Sequence, residues 1–317
     1  MKGEFEFIHY IKKSFGLRAI GDDCAVLPKD ESNDLVVTAD LLVEDVDFRL
    51  DWTKPEDLGY KSLSVSLSDI AARGGEPAWA MLTLGIPEKI WETDFVKRFY
   101  DGWTQLAGEF RVELIGGDIS RSPDRFVIDS IACGQVSKGE AVLRSGAKPG
   151  DAICVSGTLG GAAGGLRLLE SKSKNDLSES WQQRLVERQL RPFPRITLGK
   201  ILREKGLASS MIDISDGISS DIHHLCEASG VGASIDACLL PVDKDLKYLV
   251  DADQMIALAL NGGEDFELLF TVPKEKISTL QNADVTQIGI VTENAGVVTL
   301  TDGDKTVELQ PSGYRHF

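Results

Sequence analysis

Apolar positions along the chain switch between a period near two and a period near 3.6. Runs rich in β-branched and apolar residues at 35–39, 78–86, 112–115 and 126–136 predict strands, while 55–73 and 88–110 predict helices. Residues 144–151, RSGAKPGD, carry turn chemistry and precede a fresh apolar run, AICVSG. A domain boundary is expected there, with one domain over 1–146 and a second over 147–317. In the second half, strands are expected at 233–235, 267–272, 287–291 and 297–301, and the polar stretch SKSKNDLSES at 171–180 reads as a surface loop. The fold class this predicts is α+β, mixed α/β, with two domains of helices covering mixed sheets.

One helix stands out from this pattern. Between Lys61 and Arg73 the segment SLSVSLSDIAA has a single charge, Asp69, and is small or apolar on every face, so burial nearly all round is expected. An ionised carboxylate there costs several kcal/mol unless something receives it. Arg73, one turn on, is one candidate partner and a metal ion is the other; the segment alone does not choose between them.

Further carboxylates fall at similar places. Asp40 ends LVVTAD, Asp118 ends VELIGGD, and Asp22 and Asp23 sit in the turn of IGDDCAV, each expected where the chain leaves or enters a strand. Any one alone would be an Asx turn or a helix cap. The stretch MIDISDGISSD adds Asp213, Ser215, Asp216 and Asp221 around a turn opening a helix, with Asp213 and Asp216 spaced to reach one ion. NGGEDFELLF adds Glu264 and Asp265 after Gly262 and Gly263, which permit close backbone approach to a ligand. Turns pairing glycine with an acid in both halves predict a site at the domain junction.

Hard oxygen ligands without clustered His or Cys point to Mg²⁺ shared between carboxylates and substrate phosphates, and the four His residues lack zinc-type spacing. Fifty acidic against thirty-four basic side chains give a formal charge of −16, which excludes nucleic acid and anionic membranes as natural partners yet suits polyphosphates bridged by divalent cations. Phosphoryl transfer, which needs positioning and charge neutralisation more than a base, fits such a site. Five dispersed cysteines without a CxxC pair read as reduced thiols, and charges interrupt the first thirteen residues, so a cytoplasmic location is expected. GTLGGAAGGL at 157–166 lacks the GK[ST] ending of a P-loop, and a tightly packed helix start is its simpler reading.

IGDDCAV, LSDIAARGGEPAWA, LIGGD, LRSGAKPGD, LRPFPRI, IDISDGISSDI, NGGEDFELLF and the terminal GY-x-HF, in this order over essentially the whole chain, resemble the thiamine-monophosphate kinase family. That family belongs to the superfamily of aminoimidazole ribonucleotide synthetase and selenophosphate synthetase. The resemblance implies ATP-dependent phosphorylation of thiamine monophosphate to thiamine diphosphate by direct in-line transfer with several Mg²⁺ ions, and no covalent or general-base residue. It implies an aminoimidazole ribonucleotide synthetase-like fold, with an N-terminal ATP- and Mg²⁺-binding sheet forming a barrel across a homodimer and a C-terminal α/β domain. Carried over by position, metal binding falls on Asp23, Asp40, Asp69, Asp118, Asp213 and Asp216 with the backbone of Thr38 and Ala39. ATP contacts fall on Gly117, Asp118, Arg144 and Ser215, and contacts to the thiamine moiety on Glu264 and Tyr314.

The chain departs from the family at three positions: Ala39, Asp45 and Asp47 stand where Thr, Gly and His are usual. Asp47 is thereby a candidate substrate contact, facing a cationic thiazolium ring or withdrawn to solvent. Two rival readings are a superfamily synthetase acting on another substrate and a non-catalytic binder of nucleotide or thiamine diphosphate. The first would bring a reactive Cys or a Lys-bearing glycine loop near the N-terminus, and the second would have shed metal ligands.

Overall fold

The computed structural model describes residues 4–17, 19–171, 177–280 and 284–315. In the first half the order is α1 (Glu4–Phe15), β1 (Ala25–Pro28), β2 (Asn33–Val43), α2 (Pro55–Ala72), β3 (Glu76–Pro87), α3 (Glu88–Trp91), α4 (Phe95–Phe110), β4 (Glu113–Ser122) and β5 (Val127–Ser137). The second half adds β6 (Ala152–Ser156), α5 (Gly161–Ser171), α6 (Ser180–Leu190), α7 (Ile196–Glu204), β7 (Ser210–Asp213), α8 (Ile218–Ser229), β8 (Gly232–Asp236), α9 (Ala252–Asn261), β9 (Leu268–Val272), β10 (Val285–Thr292), β11 (Val298–Asp302) and β12 (Lys305–Glu308). Strands assemble into a five-stranded sheet of order β1-β2-β5-β3-β4 and a seven-stranded sheet of order β12-β11-β8-β10-β6-β9-β7. Each is mixed, through the parallel pairs β3–β4 and β11–β8.

Helix α2 ties the halves together, and its sequence explains how. Nearly every residue from Leu58 to Ala72 is buried, because side chains no larger than Ser or Ala alternate with Leu, Val and Ile on all faces. Its buried hydroxyls find partners on both sides: Ser66 Oγ donates to the Ser130 carbonyl in β5, Ser64 Oγ to the Pro192 carbonyl and Ser68 Oγ to Asp213. One apolar cluster therefore runs across the junction, joining Leu67, Phe99 and Phe126 to Met211, Phe266 and Phe270. A second fills the C-terminal sheet around Ile153, Ile212, Ile222 and Leu269.

Several expectations need correction. Asp40 and Asp118 do not end strands but sit inside β2 and β4, because the partner ladders run on past each: β2 pairs with β5 from Asn33 to Val43, and β4 with β3 to Ser122. The helix expected over 88–110 breaks at Glu92–Asp94, where Thr93 Oγ1 donates to the Ile90 carbonyl and accepts from the Phe95 amide, replacing helical bonds with local ones. Of the loop expected at 171–180, residues 172–176 lie outside the described residues, and Ser180 already belongs to α6.

Candidate functional site

A cleft of about 680 Å³ opens between the halves, lined by Asp23, Thr38, Ala39, Asp40, Asp47, Lys61, Asp69, Arg144, Ser215, Asp216, Glu264 and Tyr314 among others. Carboxylate oxygens of Asp23 and Asp69, which line it, and of the buried Asp213 beside them all lie within 4.8 Å of one another. Three separate elements deliver them: the turn before β1, the last turn of α2 and the end of β7. Like charges this close repel, so something must compensate.

Arginines compensate at one edge only. Arg73, wholly buried, reaches past Asp69 to pair with Asp22 at 2.6 Å and with Asp23, and Arg144 pairs with Asp23 as well. The partner open to Asp69 in the sequence is thus engaged elsewhere. Asp69 instead accepts a hydrogen bond from the Thr38 hydroxyl, and Asp213 accepts one from Ser68 at 2.6 Å. Asp40 Oδ2 is buried with no hydrogen-bond partner among the described residues.

The electrostatic consequence is a set of carboxyls held out of their ordinary range. Burial pushes Asp40 up to about 6, with Asp129 and Asp23 adding to the effect. Asp213 rises to about 7, again by burial first and Asp23 next. Asp69 is raised well above the usual carboxylate range by burial and by Asp40 and Asp213. At Arg144 burial opposes the charge, but Asp23 and Asp22 outweigh it and hold the guanidinium protonated. Crowded oxygen donors, a buried unpartnered carboxylate oxygen and strained ionisation together fit a hard divalent cation such as Mg²⁺.

Folded-state values near 6 and 7 against an ordinary 3.8 mean that the folded chain binds more protons than the unfolded chain between roughly pH 4 and 7. Without metal, stability from these groups is full below that window and is lost as pH rises through it. We expect millimolar Mg²⁺ to raise the melting temperature little near roughly pH 5.5 and strongly near roughly pH 8, because protons and metal compete for the same oxygens. Differential scanning fluorimetry across that range checks this, and an Mg²⁺ effect independent of pH would place the ion elsewhere.

The opposite wall is built from the turns 215–217 and 262–264. Glu264 adopts a left-handed φ of 66°, its amide donates to the Ser215 carbonyl at 2.8 Å, and a Cβ on Gly263 would sit 2.6 Å from that carbonyl, so only glycine lets the turns meet. Glu264 pairs with the buried Lys61 at 2.7 Å and accepts from Gln189 Nε2. The amide of Tyr314 donates to the Asp216 carbonyl at 3.1 Å, bringing the phenol to the cleft, where partial burial and then Asp47, Glu264 and Asp216 raise its pKa. Asp47 accepts from the Val43 amide at 2.8 Å and faces the cleft instead of withdrawing to solvent.

Not every expected residue arrives. Asp216 lines the cleft but is outside the Asp23–Asp69–Asp213 group. Asp221 accepts from the Gly217 amide at 3.0 Å, capping α8. Gly117 and Asp118 lie exposed on the edge strand β4, two strands beyond β2's neighbour β5, and do not line the cleft. Gly117 has a packing reason to be glycine, since at φ 147° a Cβ would fall 1.9 Å from the Leu82 carbonyl. At Asp45, φ is 71°, a left-handed conformation that Asp tolerates and that suits the glycine usual there. The glycine run opening α5 is not a free phosphate loop: the amides of Gly160 and Ala162 donate to Asp265 at 2.6 and 3.1 Å. Reading the sequence missed Lys61 and Gln189 as contributors and offered Arg73 only as a partner for Asp69; Lys61 and Arg73 carried a signal, being the charges that bound the buried segment 62–72.

The chain matches the family model "AIR synthase related protein, N-terminal domain" over residues 21–136 and "AIR synthase related protein, C-terminal domain" over 148–301. It is 41% identical to the thiamine-monophosphate kinase of Escherichia coli (strain K12) over 306 residues, covering 94% of this chain and 91% of that one. To the thiamine-monophosphate kinase of Bacillus subtilis (strain 168) it is 36% identical over 317 residues, covering 98% and 95%. A solved structure of AaThiL complexed with AMPPCP and TMP is similar with a TM-score of 0.89 at 37% identity, covering 99% of this chain and 97% of that one.

Proposed function

We propose how catalysis proceeds in a chain that belongs to the thiamine-monophosphate kinase family of AIR synthase-related proteins, and that phosphorylates thiamine monophosphate with ATP to give thiamine diphosphate and ADP. The observation that carries the mechanism is the convergence of Asp213 with Asp23 and Asp69, the latter two lining the interdomain cleft. Thiamine monophosphate attacks through a phosphate oxygen whose second pKa, near ~6, leaves it mostly ionised at neutral pH, so no general base is needed. The barrier is repulsion between that anion and the ATP tail. Asp23, Asp40, Asp69 and Asp213 would hold several Mg²⁺ ions, with Asp216 and the Thr38 and Ala39 backbone alongside, and bound Mg²⁺ supplies the positive charge that lets the two anions approach.

The chain's own groups do the rest. Arg73 and Arg144 pair with Asp23 and fix its orientation, and Arg144 together with Ser215 faces the nucleotide phosphates. The thiamine moiety lies against Asp47, Glu264 and Tyr314, where the Asp47 carboxylate and an aromatic ring suit a cationic thiazolium. On this reading Asp47→His raises the KM for thiamine monophosphate by about 5- to 10-fold with little change in kcat, since one opposing charge is lost from ground state and transition state alike. Steady-state kinetics decide it, and an unchanged KM removes Asp47 from recognition.

A homodimer closed through the N-terminal sheets belongs to the same proposal. What supports it is the exposed edge of β4, with Leu114, Ile115 and Ile119 outward, which a monomer would leave wet. It also gives Gly117 and Asp118 a route to a nucleotide. Ile115→Asp together with Ile119→Asp should shift the protein from dimer to monomer in light scattering and depress activity; a dimer that persists would move the interface elsewhere.

The test of function is incubation of the purified protein with ATP, Mg²⁺ and thiamine monophosphate, followed by chromatography. Thiamine diphosphate and ADP formed one to one, with free thiamine inert as acceptor, is the expected result; ADP without thiamine diphosphate would assign the cleft another acceptor. The synthetase rival loses ground because the chain carries IGDDCAV and no Lys-bearing glycine loop, and the non-catalytic rival because the carboxylates are kept.

A further inference from the structure

Within the cleft, two buried side-chain atoms not yet assigned lack a hydrogen-bond partner among the described residues, the rotatable Thr53 hydroxyl and the amide oxygen of Gln189, and only the second is an acceptor alone. Gln189, near the end of α6, is only 4% exposed and lines the cleft, yet its Oε1 meets no hydrogen-bond partner among the described residues. Its orientation is fixed by chemistry: Nε2 donates to Glu264, and turning the amide over would set Oε1 against a carboxylate that can only accept. Glu264 is held in turn by Lys61 at 2.7 Å, so both of its carboxylate oxygens are already engaged. The unsatisfied acceptor on this wall is therefore the glutamine carbonyl. Ala163, Leu166 and Leu190 line the same cleft, so an apolar surface accompanies it.

A buried acceptor without a donor is costly, and a ligand that supplies the donor recovers that cost, so such a group discriminates strongly between ligands with and without an N–H. Thiamine has one edge of this kind: the exocyclic amine of its aminopyrimidine, on a flat ring with apolar faces. We propose that Gln189 is a specificity-determining residue whose Oε1 accepts from the aminopyrimidine amine, with Lys61 acting as a positioning residue that keeps Glu264, and through it the glutamine amide, in register. This rests on the kinase reading above and adds the substrate group that is read.

The test compares thiamine monophosphate with its 4-oxo analogue, in which a carbonyl replaces the amine, on the wild-type protein and on Gln189→Met, which preserves length and helix propensity. The wild type is expected to favour the amine in kcat/KM by about 10- to 100-fold. In Gln189→Met the KM for thiamine monophosphate should rise about 10-fold, while the oxo analogue and ATP change by no more than about 2-fold, so that discrimination collapses. Equal use of both acceptors by the wild type overturns the proposal without any variant needing to fold, and so does full discrimination retained in Gln189→Met. In both cases thiamine diphosphate is still formed and the kinase reading stands; failure of the wild type to form it at all overturns that reading, and this inference falls with it.

Discussion

Asp213→Asn is expected to lower kcat by on the order of 10²- to 10³-fold while leaving the metal-free protein at least as stable as wild type. The two effects have one cause. Asp213 lies within 4.8 Å of Asp23 and Asp69, and its carboxyl is pushed to about 7 by burial and by Asp23, so near pH 8 the folded chain holds a buried ionised group beside two other carboxylates. Asparagine retains an oxygen for the Ser68 hydroxyl, removes the charge and relieves the repulsion. On the proposed mechanism the same change removes a hard ligand, and the charge that must gather between two phosphate anions is no longer assembled. Kinetics and thermal melts on one preparation check both halves, together with loss of most of the Mg²⁺-induced rise in melting temperature. A variant that loses activity because it unfolds would show the opposite stability change.

Arg73→Met should produce the largest loss of stability of any single substitution at the junction, about 3–5 kcal/mol. Its guanidinium is wholly buried, pairs with Asp22 and Asp23, and donates to the Met211 carbonyl at 2.8 Å, so one side chain neutralises two carboxylates and joins the halves. Methionine fills much of the volume but leaves Asp23 buried with Arg144 alone. Chemical denaturation measures the effect, and the account expects Asp22→Asn in the same background to restore part of the loss. A loss below about 1 kcal/mol would mean that Asp22 and Asp23 are better solvated than their geometry indicates.

How much of this was legible in the sequence depends on whether the signal was local. The buried character of α2 was, because a run that is small or apolar on every face but for one carboxylate has one physical outcome, and so were most strands, whose β-branched runs fix their existence if not their ends. Asp40 and Asp118 were misplaced at strand ends because strand length is decided by the partner ladder: β2 continues to Val43 only because β5 pairs with it that far. The choice between Arg73 and a metal for Asp69 could not be made within the helix, since the carboxylates that claim Arg73 lie fifty residues away in the turn before β1. Gln189 is invisible in the sequence for the same reason. A glutamine near a helix end becomes informative only when Glu264 takes its amide nitrogen and leaves its oxygen alone.

We propose that the Asp23–Asp69–Asp213 cluster holds metal ions beyond the one that travels with ATP. The most direct measurement is the dependence of turnover on free Mg²⁺ at saturating ATP and thiamine monophosphate, for the wild-type protein beside Asp69→Asn. The account predicts activation of order greater than one in wild type, with both order and rate reduced in the variant. Simple saturation explained by the ATP-bound ion alone, identical in the two proteins, would contradict it.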